Sequence, residues 1–327
     1  MITNTRSENS VLVSVGIPVR NGGKTLKLAI ESVINQTYRN IEIIISDNNS
    51  SDDTEEICKE FVDKDSRISY YRQDSTIAAI ANFRFVFDKS KGKYFMWAAH
   101  DDFRSTNYID TLLSGFNSCP SASISFSDAV MFGDYENYLH YPVLTSGDIC
   151  NDFETQGISF IKKHSKQVKS YCLHVYGLIN STYLTDYSWF DIDYGPDLLI
   201  LHWLLGQGDF IYTPGCTLYY FKILGNNSND NKQVQIYSQQ AKPFPIINFT
   251  FACIKSIKSA EIKNNCSHDF FTYTYLFFLI YFARQGGLIG FTKGIIYQLS
   301  PLTLKLIWKR LKPLLNKKSD VSAIKNR

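Results

Sequence analysis

The stretch "KYFMWAAHDDF" (93–103) sets two adjacent carboxylates, Asp101 and Asp102, directly after a run of apolar residues, with His100 in front of them. Acids side by side at the end of a buried strand repel one another and lose hydration, so they need compensation. A divalent cation supplies it. Mg2+ and Mn2+ prefer oxygen ligands and keep positions open for phosphate oxygens, which would tie the chain to a diphosphate. A turn or helix cap ahead of "STNYIDTLL" would account for an isolated acid pair without any ligand. A further acid, Asp47, ends the apolar run "IEIIISD" (41–47). A carboxylate at that height can accept a hydrogen bond from the ring N–H of uracil or thymine, or simply close an Asx-turn. Arg20 and Asn21 open a third polar loop, after "VLVSVGIPV" (11–19).

The elements that must position these residues alternate. "VLVSVGIPV" reads as a buried strand, and "KTLKLAIESVINQTY" places Leu26, Ala29, Ile30, Val33 and Ile34 at helical spacing. "IEIIISD" is a second strand. "TEEICKEFVDKD" is a helix that Ser51, Asp52 or Asp53 can cap. "ISYYRQ" is a third strand, "TIAAIANFRFVFDKS" a helix and "KYFMWAA" a fourth strand. Strand–helix alternation of this kind predicts an α/β fold, a Rossmann-like, mostly parallel sheet flanked by helices. Ligands bind such sheets beyond the carboxyl ends of the strands. Arg20-Asn21, Asp47-Asn48 and Asp101-Asp102 all fall there, and three polar loops on one edge argue for a site over a mere cap. No GxGxxG and no GxxxxGK[ST] occurs, which speaks against dinucleotide-dependent redox and P-loop chemistry.

Beyond residue 120 the pattern loosens into a strand "SISFSDAVMF", a helix "FETQGISFIKKHS", and strands "FIYTP" and "TLYYFKI". "YGPDLLILHWLLGQGDF" reads as a buried helix with Pro196 in its first turn, Gly206 or Gly208 at its end and Asp197 as its only acid. With 44% hydrophobic and 20% charged residues in 327, the chain can bury a sizeable core. Seven cysteines without CxxC spacing point to a reducing compartment and against a disulfide framework or zinc site. The first ten residues lack the pattern of a signal peptide. From residue 231 the chain reads as helical. The uncharged stretch 270–283 is too short to span a bilayer and fits a core helix or a membrane-resting segment. Residues 291–327 carry nine basic side chains against one acid, Asp320, and 291–318 mixes them with Ile, Leu and Trp. Such a basic amphipathic stretch suits an anionic membrane surface, or a helix packed on the main domain. Nucleic acid is not an expected partner, because the basic charge is confined to a tail without a base-stacking module.

The segment "VSVGIPVRNGGKTLKLAIESVINQTYRNIEIIISDNNSSDDT", followed by "KGKYFMWAAHDD", resembles the nucleotide-binding half of the family 2 glycosyltransferases, which have the GT-A fold. The likeness is close over 11–115 and looser to about 225. It implies a nucleotide-sugar-binding half (1–115), a half for the acceptor and catalytic base (116–230) and a helical C-terminal extension (231–327). It further implies Asp102 as ligand of Mn2+ or Mg2+, Asp101 as partner of ribose or donor sugar, and Asp47 as holder of the base, with Pro18, Val19, Arg20, Asn21 and Asn48 beside it. Asn82 would lie near the donor. "YGPDLLI" matches the family's general base with Asp197, and Asp191 and Asp193 compete for that role.

The chain departs from the family pattern in three places. His100 stands where an acid is common, Arg20 where a Tyr is common, and no His after "TLYYFK" clearly completes a metal site. QxxRW, a signature of processive polymer synthases, is absent as well. The reading is an inverting glycosyltransferase. It would act in the cytoplasm, peripherally on the membrane, on a nucleoside-diphosphate sugar and a saccharide or lipid-linked acceptor in cell-surface polysaccharide or lipopolysaccharide assembly. A sugar nucleotidyltransferase and a degenerate, non-catalytic binding subunit are the alternatives. "RNGG" is a poor triphosphate-gripping loop, and retention of all four acids opposes degeneracy.

Overall fold

Apolar runs without polar interruption need cover on both faces, which a parallel sheet between helices provides. In the computed structural model, β1 (Val13–Val19) is buried along its whole length, and β2 (Ile41–Asp47) leaves only Glu42 half-buried. The structure describes residues 10–132, 138–141, 172–189 and 196–221. Between the two strands runs α1 (Leu26–Ile34), which buries Leu26, Ala29, Ile30 and Val33, as the spacing predicts. Then follow α2 (Thr54–Lys64), β3 (Ile68–Arg72), α3 (Ala79–Asp88) and β4 (Tyr94–Trp97). The second half holds β5 (Phe103–Arg104), α4 (Tyr108–Ser118), β6 (Ala122–Phe132), β7 (Tyr138–Tyr141), β8 (Leu178–Asn180), α5 (Pro196–Leu205) and β9 (Asp209–Phe221). Short 3-10 helices, Cys172–Tyr176 and Ser181–Tyr183, bracket β8.

Among the described residues the strands form one sheet in the order β3-β2-β1-β4-β8-β6-β9-β5, with β7 on β6. β3, β2, β1 and β4 are parallel, as the alternation predicts. Beyond β4 the sheet is mixed: β8 runs antiparallel to both β4 and β6, β9 parallel to β6, and β5 antiparallel to β9. The segment "FIYTP" and the described part of "TLYYFKI" (217–221) are one strand, not two. Pairing with β6 slips between Phe126 and Asp128, where Thr213–Cys216 bulge out, and Gly215 takes φ 98° there.

The core lies between this sheet and its helices, with Val15, Ile17, Ile43 and Ile45 fully buried. Each such side chain contributes roughly 1.5–3 kcal/mol. At Gly16 a Cβ would sit 2.6 Å from Val86 and 2.9 Å from Phe95, so the missing side chain lets α3 lie close on β1. Leu199, Ile200, Leu201, Trp203 and Leu204 are buried, so α5 buries apolar side chains on several of its sides, as expected. α5 packs on the 3-10 helix Cys172–Tyr176. Among the described residues no helix is long and apolar enough to cross a membrane. The helix expected over 153–165 and everything after residue 221, including the basic tail, lie outside the described residues.

Candidate active site

Parallel register brings the carboxyl ends of β1, β2 and β3 level: Pro18 pairs with Ser46, Val19 with Asp47 and Asp47 with Arg72. Asp47 is 0% exposed, and both of its carboxylate oxygens accept hydrogen bonds. Oδ1 accepts from the Ser50 amide at 2.8 Å, and Oδ2 accepts from the Tyr70 hydroxyl at 2.9 Å and Arg72 at 2.8 Å. Arg72 also reaches Glu55 at 3.1 Å and the Ser50 carbonyl at 2.8 Å. Burial and the neighbouring Asp47 push the Tyr70 phenol up, so it stays a donor.

The loop after β1 is stitched to the loop after β2. Asn21 takes a left-handed φ of 52°; its amide donates to Ser50 Oγ at 2.8 Å, and its Oδ1 accepts from the Ser51 amide at 2.9 Å. The Gly22 amide donates to Thr54 Oγ1, and the Gly23 amide to Asp52 Oδ2. Of the residues expected to cap α2, it is Asp52 that accepts from the Thr54 amide, at 3.2 Å; Asp53 makes no side-chain cap bond. Asn48 bridges to the lead-in of α3 by two bonds with Ile77, at 2.8 and 2.9 Å. Asn82 binds Ser46 twice, accepting from its hydroxyl at 2.6 Å and donating to its carbonyl at 3.0 Å. Its amide therefore anchors α3 to β2. Arg20 is exposed.

β4 leaves the sheet through Ala98, whose amide donates to the Gly16 carbonyl, and turns at His100-Asp101. Asp102 is 1% exposed; Asp101 and His100 are half-buried. His100 Nδ1 lies 3.3 Å from Thr25 Oγ1, so the ring rests against the β1–α1 loop. Asp197 sits in the first turn of α5. The Tyr176 phenol is pushed well above its ordinary value, first by desolvation and then by the fields of Asp102, Tyr220, Asp101 and Asp197. α5, which carries Asp197, packs on the 3-10 helix that ends at Tyr176. Asp191 and Asp193 lie outside the described residues.

Among the described residues no three His, Cys, Asp or Glu side chains group as a metal site. One or two carboxylates are what Mg2+ or Mn2+ uses when substrate phosphates complete its shell, so the donor set fits a shared cation and not an all-protein cage. Sequence reasoning passed over three residues here: Tyr70 and Arg72, which hold Asp47, and the buried Arg104, which follows the acid pair.

Comparison with known proteins agrees with this geometry. The profile described as glycosyl transferase family 2 matches residues 14–181, more than half of the chain. The chain belongs to glycosyl transferase family 2. Among its relatives are glycosyltransferase GlyG of Streptococcus pneumoniae, 33% identical over 147 residues, and an uncharacterized glycosyltransferase, RP339, of Rickettsia prowazekii, 36% identical over 128. These matches take in 43% and 39% of this chain and 46% and 37% of the relatives, so the chain spans less than half the length of either. Crystal structures of S. aureus TarS residues 1–349 share the fold. The one in complex with UDP-GlcNAc aligns with TM-score 0.62 at 14% identity, over 84% of this chain and 74% of that one. Another aligns with TM-score 0.60 at 10% identity, over 84% and 73%. The mixed α/β sheet with flanking helices is thus a GT-A fold.

Proposed function

We propose that this family 2 member is an inverting glycosyltransferase that moves a sugar from a UDP- or dTDP-type donor to a hydroxyl of a saccharide or lipid-linked saccharide. The observation that carries the reading is the placement of Asp47 and of the Asp101–Asp102 turn at the carboxyl ends of β2 and β4, the two parallel strands that flank β1. Asp197 takes the proton of the acceptor hydroxyl as that oxygen attacks the anomeric carbon; an ordinary carboxylate suffices, because the hydroxyl becomes acidic only as the bond forms. Asp47, carried by Tyr70 and Arg72, faces the base, and Pro18, Val19, Arg20, Asn21 and Asn48 border the nucleotide. Asn82 keeps that recess in register with α3. Asp101 meets the ribose or donor sugar. Asp102 holds Mn2+ or Mg2+, which when bound stabilises the departing diphosphate. The UDP-GlcNAc complex of TarS supports a UDP-sugar donor.

Residues 1–115 serve the nucleotide sugar and 116–230 the acceptor. The basic amphipathic stretch in 231–327 rests on the inner face of the cell membrane, where lipid-linked acceptors of polysaccharide or lipopolysaccharide assembly are presented. Family membership and the "RNGG" loop favour sugar transfer over nucleotidyl transfer. A panel of nucleotide sugars assayed for Mn2+-dependent hydrolysis tests the reading: one donor should be hydrolysed and chelation should stop it. Hydrolysis of none, with acceptors supplied, would sink it. Co-sedimentation with anionic vesicles, lost at high salt and on removal of 291–327, tests the membrane contact.

A further inference from the structure

Arg104 stands two residues beyond Asp102 and is 3% exposed. A guanidinium is charged at any physiological pH and carries five N–H donors in a rigid plane. Here one nitrogen donates to the Trp97 carbonyl at 2.9 Å, while Nε and the other terminal nitrogen, although buried, make no hydrogen bond. The guanidinium carbon lies 5.7 Å from the centroid of the Tyr108 ring. Burial lowers its pKa, and the fields of Tyr108, Asp102 and Tyr176 oppose that fall. Desolvating a cation with most of its donors unmet is costly, and a Leu or Met would fill the same space without that cost.

What a Leu or Met lacks is positive charge at a fixed point. Trp97 is the last residue of β4, the strand that delivers Asp101 and Asp102, so the bond to its carbonyl ties the guanidinium to the base of the acid turn. In a water-poor surrounding a charge acts over several ångströms without a direct bond. We propose that Arg104 is the built-in counter-charge of the Asp101–Asp102 pair, steadying the pair in the absence of a cation and weakening its hold on one. The second half rests on the reading of Asp102 as a cation ligand; the first does not. His100, in place of a third acid, acts in the same direction, so both features moderate the negative charge of the turn.

The test is a double-mutant cycle on the full chain in EDTA, read by thermal melting. Arg104→Met should lower the Tm by roughly 6–12 °C, since it removes a buried positive charge from the field of the acid pair. Adding Asp102→Asn to Arg104→Met should restore at least half of that loss. Additive losses in the double variant would overturn the proposal, because a residue that merely packs does not care about the charge of Asp102. If Arg104→Met is insoluble, Arg104→Lys carries the test: with the charge kept it should be soluble and melt near the parent, and an equally insoluble Lys variant would overturn the proposal. A Mn2+ titration with UDP present, also followed by melting, reads the second half. Arg104→Met should reach half-saturation at about tenfold less Mn2+ than the parent, and an unchanged midpoint overturns that half. A parent that ignores Mn2+ and UDP altogether refutes the reading of Asp102 and that half with it, while the cycle in EDTA still decides the counter-charge.

Discussion

Asp47 and Asp102 are both buried carboxylates at or just beyond the ends of strands that flank β1, yet their surroundings differ in kind. Around Asp47 the polar groups are matched bond for bond: Ser50, Tyr70 and Arg72 converge on one carboxylate, and Asn48 and Asn82 tie the neighbouring elements to the same strand end. Around Asp102 the signature is one of charge. Desolvation raises Tyr176, the fields of Asp102, Asp101 and Asp197 raise it further, and the nearby Arg104 is buried with a single hydrogen bond, to a backbone carbonyl. Matched bonds make a recess whose shape is set before any ligand arrives. A cluster of buried charges makes a region whose properties shift when a single charge is added or removed. The Asp47 end, the proposed nucleotide side, is thus built for fit and the acid side for electrostatics.

The largest effect is expected on the acid side, at Asp197. Replacing it with Asn keeps shape and removes basicity, so turnover should fall by roughly two to four orders of magnitude. Affinity for UDP, set on the other side, should hold. Steady-state rates paired with UDP calorimetry separate the two quantities. Near-normal turnover would pass the role of base to Asp191 or Asp193, and a matching loss of UDP affinity would break the division between the regions.

On the nucleotide side the expected effect is on stability first. Asp47→Ala leaves Arg72, the Tyr70 hydroxyl and the Ser50 amide without their common acceptor, which should cost about 3 kcal/mol. Arg72 is partly exposed and can turn to Glu55 or to solvent, so the loss falls short of that for a fully buried pair. Tyr70→Phe removes one donor and should cost about 1 kcal/mol. Urea unfolding checks both. An Asp47→Ala variant with parental stability would mean that the network is not what holds this end of the sheet.

The difference between the regions also decides what the sequence could reveal. An apolar run that stops at an acid is a local signal, and it pointed to Asp47 and to Asp101-Asp102. The apolar helix opening with Pro196-Asp197 was equally local, and it forms where the sequence put it. Tyr70 and Arg72 carried no such mark, because "ISYYRQ" reads only as a strand. Their importance comes from the register that sets Arg72 beside Asp47. Arg104 in "DDFR" reads as a surface charge, yet it is buried, with its guanidinium carbon 5.7 Å from the centroid of the Tyr108 ring on the helix that follows. Asn82 lay on the expected helix, but sequence could not tell whether its amide would face a ligand or β2. The slip at Thr213–Cys216 hid behind Pro214-Gly215, which reads as a strand break although pairing with β6 resumes beyond it.

The smallest expected effect lies at the seam where the two regions touch. His100 belongs to the acid turn, but its ring rests on the β1–α1 loop, with Nδ1 3.3 Å from Thr25 Oγ1 and ring atoms 3.4 Å from where a Cβ on Gly22 would stand. A single hydrogen bond of this kind contributes about 0.5–1.5 kcal/mol. Thr25→Val keeps the shape and removes the hydroxyl, while His100→Ala removes the ring. If the contact serves to hold the nucleotide loop against the acid turn, both variants should lower the Tm by roughly 1–4 °C. Both should also raise the KM for the donor a few-fold and leave kcat and the Mn2+ midpoint unchanged. A His100 that ligated the cation would behave otherwise: His100→Ala would move the Mn2+ midpoint and Thr25→Val would not. Parallel behaviour of the two variants places His100 with the loop it touches, and divergence places it with the acids beside it in the chain.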